Sequence, residues 1–376
     1  MSSRQAIAAM SGWRTCRVWH LPAASKADLQ TMRQWFCASL MGALLCSPLS
    51  AVQADAGKPD NNRSVAQISC DQLDQEVGDK GEQWFRRSLL SERCYAFQAV
   101  ALRLGMGSLR TFLFEHRIDD GQEEERIQFL DGPAETIEHK GHSPGLWWTR
   151  GSDNALRLAS IDDTVRQLQD HYDFSLIARD VVAGRNAVVM DVTPRDDQRF
   201  PHRLWLDIAS GLPLRQQLLN GKGQVVDTVQ IVRIDSLVRF SDTLYLHEPD
   251  DTDTAMPEAD WHPDWLPEGF YRQPASLDVT LNGANLEREL YSDGLATLSL
   301  FAGPARDNTA LREGVHQLGN FRAAARHLQH DGQSWQIIAV GAMPANVLTR
   351  VVSQVSLPDD SIDDSQPGSG SEETSP

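Results

Sequence analysis

The sequence predicts a mainly β protein with a smaller α+β part, and three observations support this prediction. Residues 173–234 alternate apolar and polar side chains over four consecutive runs that are separated by short turns. A period of two sends successive side chains to opposite faces of a strand, so these runs predict an antiparallel meander with one apolar face. Similar short runs begin at Tyr95, and a strand-rich segment followed by one helical stripe closes the chain.

The meander has a regular internal pattern. Its inward positions are apolar at every second residue, and the set that defines the face is Val188, Met190, Leu204, Leu206 and Leu214. Asn220-Gly221 separates the last two runs and predicts a type I′ hairpin turn, because both residues tolerate the positive φ that this turn needs.

The region before the meander predicts more strands and two helices. Phe112 and Phe114 lie on one face of a strand at 109–117, and further short strands are expected at 126–130, 135–140, 146–150 and 155–159. Many short strands with regular turn signals indicate an all-β sheet or an open barrel. Residues 66–90 and 163–171 predict helices, and we expect the second to cross one mouth of the sheet.

The first 54 residues predict an export signal. An apolar run at 35–49 follows Met32-Arg33 and is too short to span a membrane, and Val52-Gln53-Ala54 supplies the small residues of a cleavage site. We therefore expect the true start at Met32 and a periplasmic location. The mature chain divides into a first domain at 66–240, an acidic linker at 241–265, a second domain at 266–357 and a disordered acidic tail at 358–376.

Charge and motifs exclude several function classes. The net charge is −17, and residues 248–271 carry eight acids while residues 357–376 carry six. This acidity argues against nucleic-acid binding, which needs a basic surface. The sequence contains no nucleophile elbow, no phosphate-binding loop and no HExxH helix. The histidine pairs 139/142 and 327/330 have no third ligand nearby, so we expect no metal, no cofactor and no enzyme activity.

Cys70 and Cys94 are the only cysteines after residue 54. In an oxidising compartment such a pair predicts one disulfide. Two unpaired buried thiols are the alternative.

The second domain predicts strands at 277–281, 286–291, 295–301 and 335–340, with Ser292-Asp293-Gly294 as a hairpin turn. Pro344 suits the first position of a helix. The helix carries an apolar stripe made of Val347, Leu348, Val351, Val352 and Val355. The strand at 295–301 is apolar on both sides, so both sides must be covered. The helix covers one side, and the other needs the first domain or a partner.

Two ordered sets of motifs carry a family resemblance. In the first domain they are FLDGP (129–133), VAGR (182–185), PRD (194–196), RLWLD (203–207) and SGLPL (210–214). In the second domain they are LPEGF (266–270), YSDGL (291–295) and VGAMP (340–344). In order and spacing they resemble the MucB/RseB family of periplasmic regulators of an envelope-stress sigma factor.

The resemblance implies a fold and a function. It implies a first domain similar to the LolA and LolB lipoprotein carriers, which is a strongly bent antiparallel sheet or open half-barrel with covering helices. It implies a partner, the periplasmic part of a membrane-anchored anti-sigma factor, which the protein shields from proteolysis until lipid or lipopolysaccharide releases it.

We assign candidate residues to both activities. For an acyl chain of a lipid, lipopolysaccharide or lipoprotein they are Phe112, Phe114, Trp147, Val188, Met190, Leu204, Leu206 and Leu214. For the protein partner they are Tyr291, Leu295, Leu298, Leu300 and Phe301. A dry packed core would use the same first-domain residues. Trp147-Trp148 would form an aromatic rim of the acyl-chain cleft, and the alternative is one indole in the core and one at the surface. A lipid or lipoprotein carrier without a regulatory partner is the alternative function, and homo-oligomerisation is left open.

Overall fold

A computed structural model describes residues 65–105, 108–119, 122–132, 135–140, 148–150, 156–158, 160–240, 243–247, 259–273, 278–281, 284–305, 310–318, 321–330 and 332–357. The expected export signal, the acidic tail and Trp147 lie outside the described residues. We call residues 65–247 the first domain and residues 259–357 the second domain.

A nine-stranded antiparallel sheet forms the body of the first domain. Its strands are β2 (Tyr95–Gly105), β3 (Ser108–Asp119), β4 (Gln122–Phe129), β5 (Thr136–Lys140), β8 (Tyr172–Val182), β9 (Arg185–Pro194), β10 (His202–Asp207), β11 (Pro213–Leu219) and β12 (Val225–Arg239). They lie in the order β5-β4-β3-β2-β12-β11-β10-β9-β8, so the described sheet is open at β5 and at β8. The predicted meander is confirmed as the run from β8 to β12.

Two helices pack on this sheet, α1 (Gly81–Cys94) and α2 (Ile161–His171). The helix predicted at 66–90 is wrong in its first half, because β1 (Val65–Ser69) is a strand and Cys70–Asp74 is a short 3-10 turn. β1 pairs with β13 (Thr243–His247), a partner far along the sequence that local periodicity cannot reveal. Two short strands, β6 (Trp148–Arg150) and β7 (Leu156–Leu158), pair with each other.

The type I′ turn occurs at a different hairpin from the predicted one. Ala183 and Gly184 both have positive φ, 52° and 74°, and they join β8 to β9. At the predicted position the positive φ belongs to Gly223, not to Asn220 or Gly221. The side chain of Asn220 accepts hydrogen bonds from the backbone N–H groups of residues 222 and 224, and this asparagine turn stabilises a longer loop.

The described residues of the second domain form a seven-stranded antiparallel sheet and one helix. Its strands are β15 (Tyr271–Gln273), β16 (Asp278–Leu281), β17 (Ala284–Ser292), β18 (Thr297–Pro304), β19 (Gly314–Leu318), β20 (Phe321–His330) and β21 (Gln333–Gly341). Both β15 and β16 pair with β17, and the order continues β18-β21-β20-β19. The helix α3 (Ala345–Ser353) begins after Pro344, which is its N-cap rather than its first residue.

Both faces of the second sheet are covered. Leu298, Leu300 and Ala339 pack against the apolar stripe of α3, and all three are fully buried. On the opposite face, Phe301 and Ile338 form a separate cluster, which Leu311, Leu318 and Phe321 partly cover. The alanine run in β20 is buried on both sides, since Ala324 belongs to the first cluster and Ala323 and Ala325 to the second.

The linker is shorter than the predicted 241–265. Residues 243–247 form β13, whose Leu246 is buried in the first-domain core. At the other end, Trp261 is 1% exposed within the second-domain core, and β14 (His262–Pro263) pairs with β22 (Val355–Ser356). Residues that looked like a polar spacer therefore complete both cores.

Candidate functional site

The register of the first sheet places most candidate lipid-binding residues on one face. Directly opposed residues of neighbouring strands share a face, and one such row across six strands is Arg103, Val229, Gln216, Leu204, Met190 and Leu176. Phe112 and Phe114 lie opposite Ala101 and Ala99, which are two and four residues from Arg103, so they share this face. Leu206 lies opposite Val188 on the same side. Leu214 sits at a β-bulge between β10 and β11.

Helices cover only one half of this face. Val188, Met190, Leu204 and Leu206 are 0–7% exposed beneath α1 and α2, in one cluster with Leu89, Leu90 and Leu168. These four residues pack between the sheet and the covering helices. Their role as lipid contacts stays a prediction, because a packed core uses the same residues. Leu214 is also buried, at 1% exposure.

The other half of the face, on β2 to β5, is less enclosed. Phe112 and Phe114 are half-buried, and their neighbours in the next strands, Phe129, Ile127 and Ile137, are half-buried too. The Phe112 and Phe129 rings lie 6.2 Å apart, and the Arg110 guanidinium lies 4.3 Å from the Phe129 ring centre. Their cross-strand partners in β2 are small, since Phe114 pairs with Ala99 and Phe112 pairs with Ala101. We call Phe112, Phe114, Ile127, Phe129 and Ile137 the open apolar face.

The open apolar face ends in a buried charged cluster. Arg93 at the end of α1 donates to Glu123 of β4 over 2.6 Å, and both side chains are almost completely buried. His116 Nε2 lies 3.9 Å from the same carboxylate. Burial also raises the pKa of Glu92 to about 7. This end of the face is therefore polar and closed, whereas the end at Phe129 is apolar.

The candidate partner-binding hairpin is largely buried. Leu298 and Leu300 are fully buried against α3, and Phe301 is 8% exposed in the opposite cluster. Other parts of the chain cover these three side chains in this structure, and their role as partner contacts stays a prediction. The sequence indicated two apolar faces, and the chain itself covers both. Leu295 is half-buried and packs against the first-domain core.

Tyr291 borders a cavity of the second domain. A cavity of about 270 Å³ in the second domain is lined by Trp261, His262, Pro263, Leu266, Phe270, Tyr271, Arg272, Glu289 and Tyr291. Arg272 donates to Glu289 over 3.0 Å and the Tyr291 hydroxyl donates to the same carboxylate, so the charges in its wall are paired. Sequence reasoning missed this cavity because it assigned Trp261 to the linker; the LPEGF motif was the available signal.

One disulfide joins two elements of the first domain. Cys70 and Cys94 are bonded, with Cα atoms 5.5 Å apart, and the bridge ties the 3-10 turn to the last residue of α1. Among the described residues there is no cluster of three or more potential metal ligands. In the same part of the chain no helix has the length and apolar character needed to cross a membrane.

Comparison with known proteins identifies the family. The model of the MucB/RseB N-terminal domain matches residues 80–246, and that of the MucB/RseB C-terminal domain matches residues 255–356. Sigma factor AlgU regulatory protein MucB of Pseudomonas aeruginosa is 30% identical over 291 residues, which cover 72% of this chain and 89% of the relative. Sigma-E factor regulatory protein RseB of Escherichia coli is 26% identical over 271 residues, or 67% of this chain and 81% of the relative.

A solved structure agrees with this assignment. The crystal structure of MucB in complex with MucA(peri) superposes with a TM-score of 0.57 and 28% identity, over 74% of this chain and 100% of that one. The two family models together match most of the described residues, and the relatives are named as regulatory proteins. The chain belongs to the MucB/RseB family.

Proposed function

We propose that the protein is a periplasmic regulator that binds the periplasmic part of a membrane-anchored anti-sigma factor and shields it from proteolysis. The observation that carries this proposal is the family membership over both domains, together with a relative that was solved in complex with MucA(peri). The second domain offers the 270 Å³ cavity beside Tyr291 as a contact site. Since the charges in its wall are paired, the cavity suits an apolar side chain of the partner.

The proposal includes a lipid ligand for the first domain. Its support is the open apolar face, where five large side chains stay half-buried beside small alanines. Flexible hydrocarbon is bound by wide apolar surfaces of this kind. An acyl chain of a lipid, lipopolysaccharide or lipoprotein would occupy this face, and its binding would release the partner.

Binding of the anti-sigma partner is tested by calorimetry with the chain from residue 55 onward. The titrant is the periplasmic fragment of the anti-sigma factor from the same organism. Saturable binding supports the proposal, and protection of that fragment from its protease should accompany it. Absence of binding, combined with tight binding of an acyl probe, would instead identify a lipid or lipoprotein carrier.

The lipid arm is tested with a fluorescent dodecanoyl lysophospholipid. Phe114→Asp should weaken its binding at least tenfold, because a carboxylate on this face meets the hydrocarbon. The matched control is Leu109→Asp, on the same strand but the opposite face, where the side chain is 58% exposed. Equal affinities of the two folded variants would show that the face is a dry core.

A further inference from the structure

A buried ion pair joins the two domains. Arg199, in the loop between β9 and β10, has a completely buried side chain. Its Nε atom lies 3.2 Å from Oδ2 of Asp293, which is equally buried in the hairpin between β17 and β18. The same guanidinium donates to the backbone carbonyl of Glu268 in the second domain.

Tyr172 adds a second contact from the first domain. This first residue of β8 is fully buried, and its hydroxyl donates to Asp293 Oδ2 over 2.8 Å. The guanidinium of Arg199 lies 5.6 Å from the Tyr172 ring and 5.4 Å from the Phe270 ring, so one side chain from each domain flanks it. Burial and the charge of Asp293 raise the pKa of Tyr172 well above its usual value, so its hydroxyl stays protonated as the donor.

Asp293 is held rigidly on its own side of the interface. Its Oδ1 atom accepts hydrogen bonds from the backbone N–H groups of Leu295 and Ala296, over 2.9 and 2.7 Å. The carboxylate therefore has one oxygen fixed by its hairpin and the other directed to the first domain. A shift of either domain would break both contacts to Oδ2.

The surrounding contacts are tight. Gly269 has a φ of 84°, and a Cβ atom at this position would lie 2.3 Å from His171 Nε2 at the end of α2. Leu295 packs against the first-domain core. The two domains thus meet through α2, β8 and the loop before β10 on one side, and residues 268–270 and 293–295 on the other.

Burying charges is a poor way to obtain adhesion alone. Removing two ions from water costs much of what their attraction returns, and apolar residues of similar size often stabilise a contact better. An ion pair with fixed geometry instead discriminates between orientations, because any other arrangement leaves a charge buried without its partner.

We propose that Arg199, Asp293 and Tyr172 form a latch that fixes the relative orientation of the two domains and couples the lipid site to the partner site. The claim that the latch couples the two sites rests on the proposed function, whereas the claim that it fixes the orientation of the domains does not. On the lipid side, Tyr172 follows α2 directly and starts β8, whose Phe174 packs in the helix-covered core. The open apolar face and the helix-covered half belong to the same face of one sheet. An acyl chain that extends from the open apolar face beneath α2 would displace this helix and move Tyr172.

On the partner side, the latch contacts the walls of the cavity. Phe270 lines the cavity and flanks Arg199, and Glu268, whose carbonyl accepts from Arg199, lies two residues earlier. Tyr291 lines the same cavity two residues before Asp293. Opening the latch would change the cavity, so lipid and partner would weaken each other's binding by the same factor.

The orientation is measured first, without any ligand. Spin labels at Val181→Cys and Val315→Cys, exposed positions of the first and second domains, report the interdomain distance. We expect one narrow distance distribution for the latched protein and a broad one for Asp293→Asn, which keeps the size of the side chain but removes its charge. Glu123→Gln is the matched control, because it disrupts a buried ion pair within the first domain.

The coupling is measured by titrating the anti-sigma fragment with and without the dodecanoyl lysophospholipid. We expect the probe to weaken partner binding about tenfold in the parent protein, within the usual range of allosteric coupling, and less than twofold in Asp293→Asn. Tyr172→Phe removes only the hydroxyl and should give an intermediate value; it replaces Asp293→Asn if that variant does not fold.

The outcomes separate the two proposals. A narrow distance distribution in both folded latch variants, or coupling equal to that of the parent protein, would overturn the latch. A parent protein that binds no partner would overturn the proposed function, and the distance measurement would still decide on the latch. A broad distribution in Glu123→Gln would show that any buried ion pair has this effect, which also overturns it.

Discussion

The two sheets of this protein differ in how their apolar faces are covered. In the first sheet the helices bury Met190 and Leu206 completely but leave Phe112 and Phe114 half-buried. In the second sheet Leu300 is buried on one face and Ile338 on the other, both completely. A sheet with one apolar face can remain partly open and bind a ligand there, whereas a sheet with two such faces becomes a closed core. Binding by the second domain is therefore expected at its cavity.

Truncating one apolar side chain in each sheet should give the largest difference, measured as the loss in free energy of unfolding. Leu300→Ala should lower the free energy of unfolding by about 4 kcal/mol, because it opens a cavity in a closed core. Phe114→Ala should cost roughly half as much, since its ring is only partly buried and less apolar surface returns to water. Urea denaturation of both variants measures the difference. Equal losses would mean that Phe114 belongs to a closed core and would remove the physical basis for a lipid ligand.

The second-largest expected effect is on stability, because removing the disulfide should destabilise the first domain more than the second. Replacing both Cys70 and Cys94 by Ala should cost the first domain about 3 kcal/mol, which is the loop-closure estimate for a bridge across 24 residues. The bridge lies entirely within the first domain, so the unfolding midpoint of the second domain should move less. Calorimetry resolves the two transitions, and labelling of unreduced, unfolded parent protein should find no free thiol after residue 54. Destabilisation of both domains would show that they unfold as one unit.

Sequence reasoning succeeded where local periodicity decides the structure. The alternation in β9 and β10 and the stripe of α3 are short-range signals, and the structure has these elements at the expected places. Sequence reasoning failed where contacts between residues far apart in the sequence decide the structure. The pairing of β1 with β13 joins segments about 180 residues apart, and Tyr172 is separated from Asp293 by 121 residues. No local pattern specifies such contacts, so the closure of the second sheet and the interdomain ion pair were not predicted.

Titration of His202 provides a pH test at the domain boundary. Burial lowers the pKa of His202 to about 4, against an unperturbed value of 6.5, and the negative charge of Asp293 opposes this shift only partly. Between these values the unfolded chain binds more protons than the folded one, so stability is complete above about pH 6.5 and falls as the pH falls toward 4. The loss should reach at most about 3 kcal/mol.

The control for this pH test is the comparison of the parent protein with His202→Gln. Glu92 has its pKa raised to about 7, so it acts in the opposite direction and destabilises the fold as the pH rises from 4.5 to 7. The quantity to measure is therefore the difference between the parent protein and His202→Gln at each pH, because Glu92 contributes equally to both. A difference that does not change between pH 7 and pH 4 would contradict the assignment of this slope to His202.

The smallest expected effect concerns two hairpin turns, the predicted type I′ turn at Asn220-Gly221 and the observed one at Ala183-Gly184. Ala183 adopts a φ of 52°, a left-handed conformation that costs an alanine about 1 kcal/mol, and Gly184 beside it has a φ of 74°. Asparagine tolerates this conformation, so Ala183→Asn should stabilise the first domain by about 0.5 kcal/mol by creating the Asn-Gly pair that type I′ turns prefer.

Gly184→Ala should destabilise the first domain by about 1 kcal/mol, and since no atom lies within 4 Å of the added Cβ, this loss would come from the backbone alone. At the other hairpin the positive φ belongs to Gly223, so Gly221→Ala should be nearly neutral. Urea midpoints of the three variants test this order, and a loss at Gly221 larger than that at Gly184 would show that the sequence prediction had placed the turn correctly.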